Sequence, residues 1–122
     1  MIKGLIHENR PLIRVTVGSS LGVQEIVGLL DTGFTGELKL SSQTAIELGL
    51  EITHTESVAL ANEATITMRA SLAEVVLEDV KNTVSVLIDA GLMPIIGIGL
   101  LRSFGYKKIN FDFSYNILTL ER

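Results

Sequence analysis

Asp31, in the run Leu29-Leu30-Asp31-Thr32-Gly33-Phe34, has the surroundings best suited to chemistry. The segment Val23 to Leu30 reads as a strand, apolar at Ile26, Val27, Leu29 and Leu30, and it runs directly into the acid. Thr32 and Gly33 then suit a tight loop in which backbone amides hold a carboxylate beside a water molecule. A carboxylate held in this way can take or give a proton. The plainer reading is an Asx turn that closes a strand, and the tripeptide by itself favours that one.

Other residue types offer less. His7 and His54 have no cysteine companions and no H-x-x-H or H-E-x-x-H spacing, so they read as surface or turn histidines. No metal and no other cofactor is expected. Gly18-Ser19-Ser20-Leu21-Gly22 reads as a hairpin turn, since a nucleophile elbow would need G-x-S-x-G. Gly97 and Gly99 lack the third glycine and the long following helix of a dinucleotide fingerprint. Asp89, before Ala90-Gly91, reads as a loop acid, and Asp112, between Phe111 and Phe113, as a strand-end acid.

The elements that would position Asp31 are mostly strands. Arg10 to Val17 alternates apolar and polar side chains after a proline, and Gly18 to Gly22 turns it into the strand that ends at the acid. Leu38 to Leu40 predicts a short strand. Ser41 or Ser42 is placed to cap a helix over Gln43 to Leu48, which Gly49 ends. Thr53 to Ala70 reads as a hairpin with Ala61-Asn62-Glu63-Ala64 at its tip. Ser71 to Leu77 and Val84 to Ile88 read as two further strands joined around Asp79-Val80-Lys81-Asn82. Ala90 to Leu101 carries no charge and reads as buried core, too short for a membrane span and broken by Pro94, Gly97 and Gly99. Leu100 to Phe104 makes one or two helical turns stopped by Gly105, and Lys107 to Phe113 and Ile117 to Leu120 make a last hairpin about Ser114-Tyr115-Asn116. The sum is a mostly β chain with about eight or nine strands and two short helices.

Composition narrows the classes further. At 122 residues the chain is one domain's worth, so residues 1–122 are read as a single domain. Apolar residues make up 47% and charged residues 20%, the balance of a packed globular chain with some apolar surface left for self-association. A net charge of -4 and 5% aromatics offer no footing for phosphates, which argues against a nucleic-acid partner. There is no cysteine, and Met1 to Glu8 lacks the apolar run of a signal peptide, so a cytoplasmic location is the expectation.

Two blocks together carry more than either alone. V-G-L-L-D-T-G over Val27 to Gly33, and I-I-G-x-x-L-L-x-x-x-G over Ile95 to Gly105, resemble in order and spacing the signature blocks of retroviral and retroviral-like aspartic proteases. Leu29 to Gly36 is also similar to a bacterial and archaeal single-domain branch that carries D-T-G-F. The resemblance covers Val15 to Gly105 and is specific at the two blocks. It implies a closed acid-protease barrel that works as a homodimer on a peptide or protein substrate, with no cofactor. Under it, Asp31 matches the catalytic aspartate, Thr32 the residue that bonds across the dimer axis, and Gly33 the glycine whose carbonyl receives substrate backbone. Phe34 falls at the substrate pockets, Ala61, Asn62 and Glu63 at the tip of a closing flap, and Ile95, Ile96 and Gly97 at the pocket floor. The family's hydrolysis needs two carboxylates in one site, so a single Asp31 implies two chains.

The sequence also departs from that pattern. The retroviral enzymes have a small residue after D-T-G, then an acid that pairs with an arginine following I-I-G; this chain has Phe34, Thr35 and Ile98 there. Both partners of the ion pair are missing together, which avoids an unpaired buried charge. The flap tip lacks the family's glycines, and the tail from Tyr106 is longer, so its hairpin is expected in the dimer interface. The rival to an endopeptidase is a non-catalytic dimerisation or peptide-binding module on the same fold.

Overall fold

The computed structural model describes residues 1–91 and 93–122. In chain order the elements are β1 (Ile2–His7), β2 (Arg10–Ser19), β3 (Gly22–Asp31), β4 (Leu38–Ser41), α1 (Ser42–Leu48), β5 (His54–Ala59) and β6 (Thr65–Leu77). There follow β7 (Val80–Asp89), β8 (Ile95–Gly97), α2 (Ile98–Ser103), β9 (Lys108–Asp112) and β10 (Ile117–Glu121).

Alternation along the strands decides which side is buried. In β2, Ile13, Val15 and Val17 are buried, while Arg14 between the first two is exposed. The strands run in the order β5-β6-β7-β4-β8-β3-β2-β1-β10-β9, and a further pairing of β6 with β2 closes a six-stranded barrel of β2, β3, β8, β4, β7 and β6. Closure turns the buried faces toward one core, which also receives Leu100 and Leu101 from α2 and Leu118 and Leu120 from β10. Removing such side chains from water is the main favourable term holding the barrel together, at about 25 cal/mol per Å² of apolar surface.

Two neighbours in the barrel matter most for the site. β8 runs parallel to β3, with Leu29, Leu30 and Asp31 opposite Ile95, Ile96 and Gly97. Gly28 makes the packing behind this pair possible, because a Cβ there would lie 2.7 Å from Ile96 Cδ1. β4 follows on the far side of β8 and is capped by α1. Ser41 is the N-cap: its Oγ accepts the Thr44 N–H at 3.1 Å, and Gly49, at φ 70°, ends the helix.

Several boundaries differ from the sequence reading. The sequence predicts no strand at its start, yet Ile2 to His7 forms β1 between β10 and β2. Gly4 hides the signal, since glycine disfavours strands, but here a Cβ would collide with Leu12 O and lie 2.8 Å from Ile13 Cγ2. Thr65 to Leu77 is one long strand rather than two, pairing first with β5 and then with β7 and β2. The join to β7 is a two-residue turn at Glu78 and Asp79, both with positive φ, so β7 starts at Val80. Ala90 to Leu101 is core only in its second half: Ile96, Leu100 and Leu101 are buried, Gly91 and Met93 are exposed, and Leu92 lies outside the described residues. Neither helix is long and apolar enough to cross a membrane.

Candidate active site

β3 delivers Asp31 to the barrel's end, and the chain turns immediately. The Phe34 N–H donates to Asp31 O at 3.1 Å, closing the turn, and the Gly33 N–H donates to Asp31 Oδ1 at 2.8 Å, which orients the carboxylate. Asp31, Thr32 and Gly33 are exposed. Gly33 belongs in this place because a Cβ on it would sit 3.2 Å from Asp31 Oδ1, pressing on the acid.

The loop is braced from behind by β8 and α2. Gly97 N–H donates to Glu37 O at 3.0 Å, Ile98 N–H to Phe34 O at 2.9 Å, and Gly99 N–H to Gly36 O at 3.0 Å. Such close approach of two backbones leaves no room for side chains: a Cβ at Gly99 would lie 2.7 Å from Thr35 O and 2.8 Å from Gly36 O. Phe34 fills the remaining space. Its ring covers Gly36 and lies against Gly97, where an added Cβ would come within 2.7 Å of the ring at either glycine.

In front of the loop lies a cleft of about 400 Å³, lined by Gly33 to Gly36, by Glu56 to Ala61 and by Leu87. The β5–β6 hairpin forms its other wall. Leu60 N–H bonds Ala64 O at 2.8 Å and Glu63 N–H bonds Leu60 O at 2.9 Å, giving a three-residue tip with Glu63 in the left-handed region at φ 67°. Asn62 Oδ1 accepts the Ala64 N–H at 3.1 Å and so stabilises the tip. Phe34 and Ala61 thus line the cleft, whereas Asn62 and Glu63 shape its outer wall. Ile96 and Gly97 are buried under the aspartate loop, and half-buried Ile95 opens to a separate surface groove with Arg10, Leu29, Met93 and Pro94.

The other acids serve elsewhere. Asp89, at the end of β7, accepts the Ala90 N–H at 2.6 Å and pairs with Lys39 at 3.3 Å; burial opposes its ionisation, but these partners outweigh burial and lower its pKa. Asp112 accepts the Ser114 and Tyr115 N–H groups and holds the last hairpin's turn.

One group escaped the sequence reading. His54 is a partly exposed strand residue rather than a turn residue: it opens β5, its Nε2 lies 3.0 Å from Glu56 Oε2, and its Nδ1 lies 2.7 Å from Thr53 Oγ1. The Ser85 hydroxyl, from β7, also donates to Glu56 Oε2. That bond is the chief reason the Glu56 pKa is lowered; burial opposes it, and His54 adds to the lowering through its hydrogen bond and charge. The period-two row His54, Glu56, Val58 was the available signal, since it sets a carboxylate on the half-buried face of a strand.

The architecture has known counterparts. No protein-family model matches the sequence, and no curated protein matches it either. Among solved structures, a retropepsin-like aspartic protease from Rickettsia conorii superposes with a TM-score of 0.69 at 18% identity, covering 98% of this chain and 88% of that one. The chain has the retropepsin-like fold. EIAV protease, in complex with the inhibitor HBY-793, superposes with a TM-score of 0.63 at 16% identity over 84% of this chain and 95% of that chain.

In this chain backbone contacts fasten the aspartate loop. The two places where the retroviral pattern has an ion pair hold Thr35 and Ile98, and Ile98 packs against the core while its N–H bonds Phe34 O. Backbone hydrogen bonds and the Phe34 ring therefore make the join that charge would otherwise make. This needs no desolvated ions, whose burial is costly even when they are paired.

Proposed function

We propose that the chain is an aspartic endopeptidase that works as a homodimer, each active site taking one Asp31 from each protomer. The observation that carries this reading is an exposed carboxylate, oriented by the Gly33 N–H and braced by β8 and α2, beside a cleft walled by a hairpin. The retropepsin-like fold supports it at the level of architecture.

The chemistry follows from pairing. Two like carboxylates brought to about 3 Å share one proton, because both cannot stay ionised at that distance. The ionised Asp31 takes a proton from water as that water attacks the peptide carbonyl carbon. The protonated one donates to the carbonyl oxygen, giving a tetrahedral diol. The Asp31 that is now protonated then gives its proton to the amide nitrogen while the other takes one from a diol hydroxyl. The C–N bond breaks to leave a carboxylic acid and an amine, and the pair again holds one proton. In this reading Thr32 bonds across the twofold axis, Gly33 receives substrate backbone, and the β5–β6 hairpin with Ala61, Asn62 and Glu63 closes over the peptide and excludes water.

An apolar surface supports the dimer. It consists of two mainly apolar grooves, one lined by Arg10, Leu29, Met93, Pro94 and Ile95 and the other by Ile6, Asn9, Pro11, Phe111 and Phe113, the last beside the edge strand β9. Phe113 and Tyr115 are 75% and 76% exposed there, and the Phe111 and Phe113 rings stack at 6.1 Å. Apolar surface of this kind is what a second copy would cover.

The test is incubation with a mixed peptide pool beside an Asp31→Asn control, over a dilution series. New termini formed by wild type alone, with specific activity falling on dilution, are expected. A pool that is bound but never cut would instead favour a peptide-binding module.

A further inference from the structure

Among the described residues Glu56 is the only charged one lining the cleft, and its placement is specific. Strand β5 turns His54, Glu56 and Val58 to its half-buried face, so the carboxylate occupies a position that the pattern would give to another valine. Its neighbours on the cleft wall are apolar or neutral: Phe34, Val58, Leu60 and Leu87 among them. A carboxylate in such surroundings needs partners. The Ser85 hydroxyl and His54 Nε2 supply them, and both bonds go to Oε2. Oε1 has no hydrogen-bond partner among the described residues, and the side chain is 39% exposed.

Half of the carboxylate is therefore fixed and the other half is open to the cleft. Among the described residues no Lys or Arg lines the cleft to neutralise it. On the neighbouring strand Met68 pairs with Glu56, while Arg69 pairs with Thr55 and reaches Ser42 instead. Glu37, which shares Ser85 as a neighbour with Glu56, is engaged by the Ser85 N–H at 3.2 Å and the Ser103 hydroxyl at 3.4 Å.

We infer that Glu56 makes a subsite for a basic side chain, so that the cleft takes peptides carrying Lys or Arg at the position that reaches Oε1. The inference rests on the cleft being a peptide site. An ammonium or guanidinium donates a charge-assisted hydrogen bond to Oε1 while its alkyl stem lies along Val58 and Leu87. An acidic side chain there meets like charge, and an apolar one leaves Oε1 without a partner.

Binding is measured in the Asp31→Asn background, where no peptide is consumed, with a pool of short peptides that carry Lys, norleucine or Glu at one position in turn. At one position Lys is expected to bind roughly three- to tenfold tighter than norleucine, with Glu weakest. Adding Glu56→Gln, a near-isosteric change, should bring the Lys-to-norleucine ratio close to one. Raising salt from about 0.1 M to about 1 M should shrink the ratio without any substitution at Glu56, because the Debye length falls to about 3 Å. A ratio near one at every position, or a ratio that Glu56→Gln and salt leave unchanged, would overturn the inference even if wild type cuts the same peptides. A charge preference in binding without cleavage by wild type would sink the catalytic reading and leave this one standing. Failure of every peptide to bind would overturn both.

Discussion

Gly97 faces the carbonyl oxygen of Gly36 so closely that a Cβ on Gly97 would collide with it, and the same Cβ would lie 2.7 Å from Phe34 O and the Phe34 ring. The Asp31 loop is therefore seated on β8 and α2 by a contact that only glycine permits. Gly97→Ala is expected to cost about 2–3 kcal/mol by overpacking and to displace the loop. Urea unfolding and the amide shifts of Gly33 and Phe34 would read this; an unchanged midpoint with unchanged shifts would refute the close seat.

Asp31 is exposed and held by one hydrogen bond from Gly33, so its replacement touches no packing. Asp31→Asn should keep the unfolding midpoint within about 0.5 kcal/mol while abolishing cleavage. Excess Asp31→Asn chains should also poison wild type, since a hybrid dimer holds one carboxylate and cannot perform both proton transfers. Activity that ignores added variant chains would mean that one protomer carries the complete site.

Glu63 stands at φ 67° in the tip of the β5–β6 hairpin. Left-handed backbone costs a side-chain-bearing residue about 1–2 kcal/mol relative to glycine. Glu63→Gly is therefore expected to lower the strain of the tip and to raise stability by up to about 1 kcal/mol, net of the flexibility that glycine gives the unfolded chain. Calorimetry would decide, and a fall in the melting temperature would count against this tip geometry.

The Ser85 hydroxyl, ahead of the opposing effect of burial and the favourable effect of His54, holds the Glu56 carboxyl below its ordinary 4.5. A carboxyl whose pKa is depressed on folding binds fewer protons in the folded than in the unfolded chain near that value. It therefore adds stability above its ordinary pKa and loses it as pH falls through the lower folded value. Below pH 4.5 the stability of wild type should decline more steeply than that of Glu56→Gln. The side chain is partly exposed, so the difference is small and screened by salt. Parallel pH–stability curves for the two proteins would exclude the effect.

Ser41 caps α1 through its Oγ and Thr44 N–H. Ser41→Ala should cost about 1 kcal/mol, and Ser42→Ala distinctly less, as measured by thermal unfolding. Equal losses would mean that the helix starts one residue later.

Much of the scaffold was legible locally. Alternation in Arg10 to Val17, the cap-and-glycine frame of Gln43 to Leu48, and the tip at Ala61 to Ala64 each depend on neighbours a few residues apart, and each forms near its expected bounds. The strand at Ile2 to His7 was not legible, because Gly4 weakens the pattern and the strand's partners are at opposite ends of the chain. Phe34 reads in the sequence as a substrate-pocket residue and it lines the cleft, but its bracing role was not legible. Its ring covers Gly36 and Gly97, a placement set by a backbone join more than sixty residues along the chain.

By itself the sequence determined the mostly β class and the strand that ends at Asp31, since apolar period and turn chemistry act over short separations, whereas the closed barrel was only what the resemblance of the two glycine-bearing blocks implies. Only the tertiary structure decided that Asp31 lies opposite Gly97 in parallel strands, that Ile96 is buried behind the loop, and that His54 and Ser85 meet at the Glu56 carboxylate. Apart from the His54–Glu56 pair within β5, those contacts join residues that share no local pattern. They form because closing the barrel brings β3 against β8 and sets β6, which carries β5, beside β7, and burial of one common core fixes that closure.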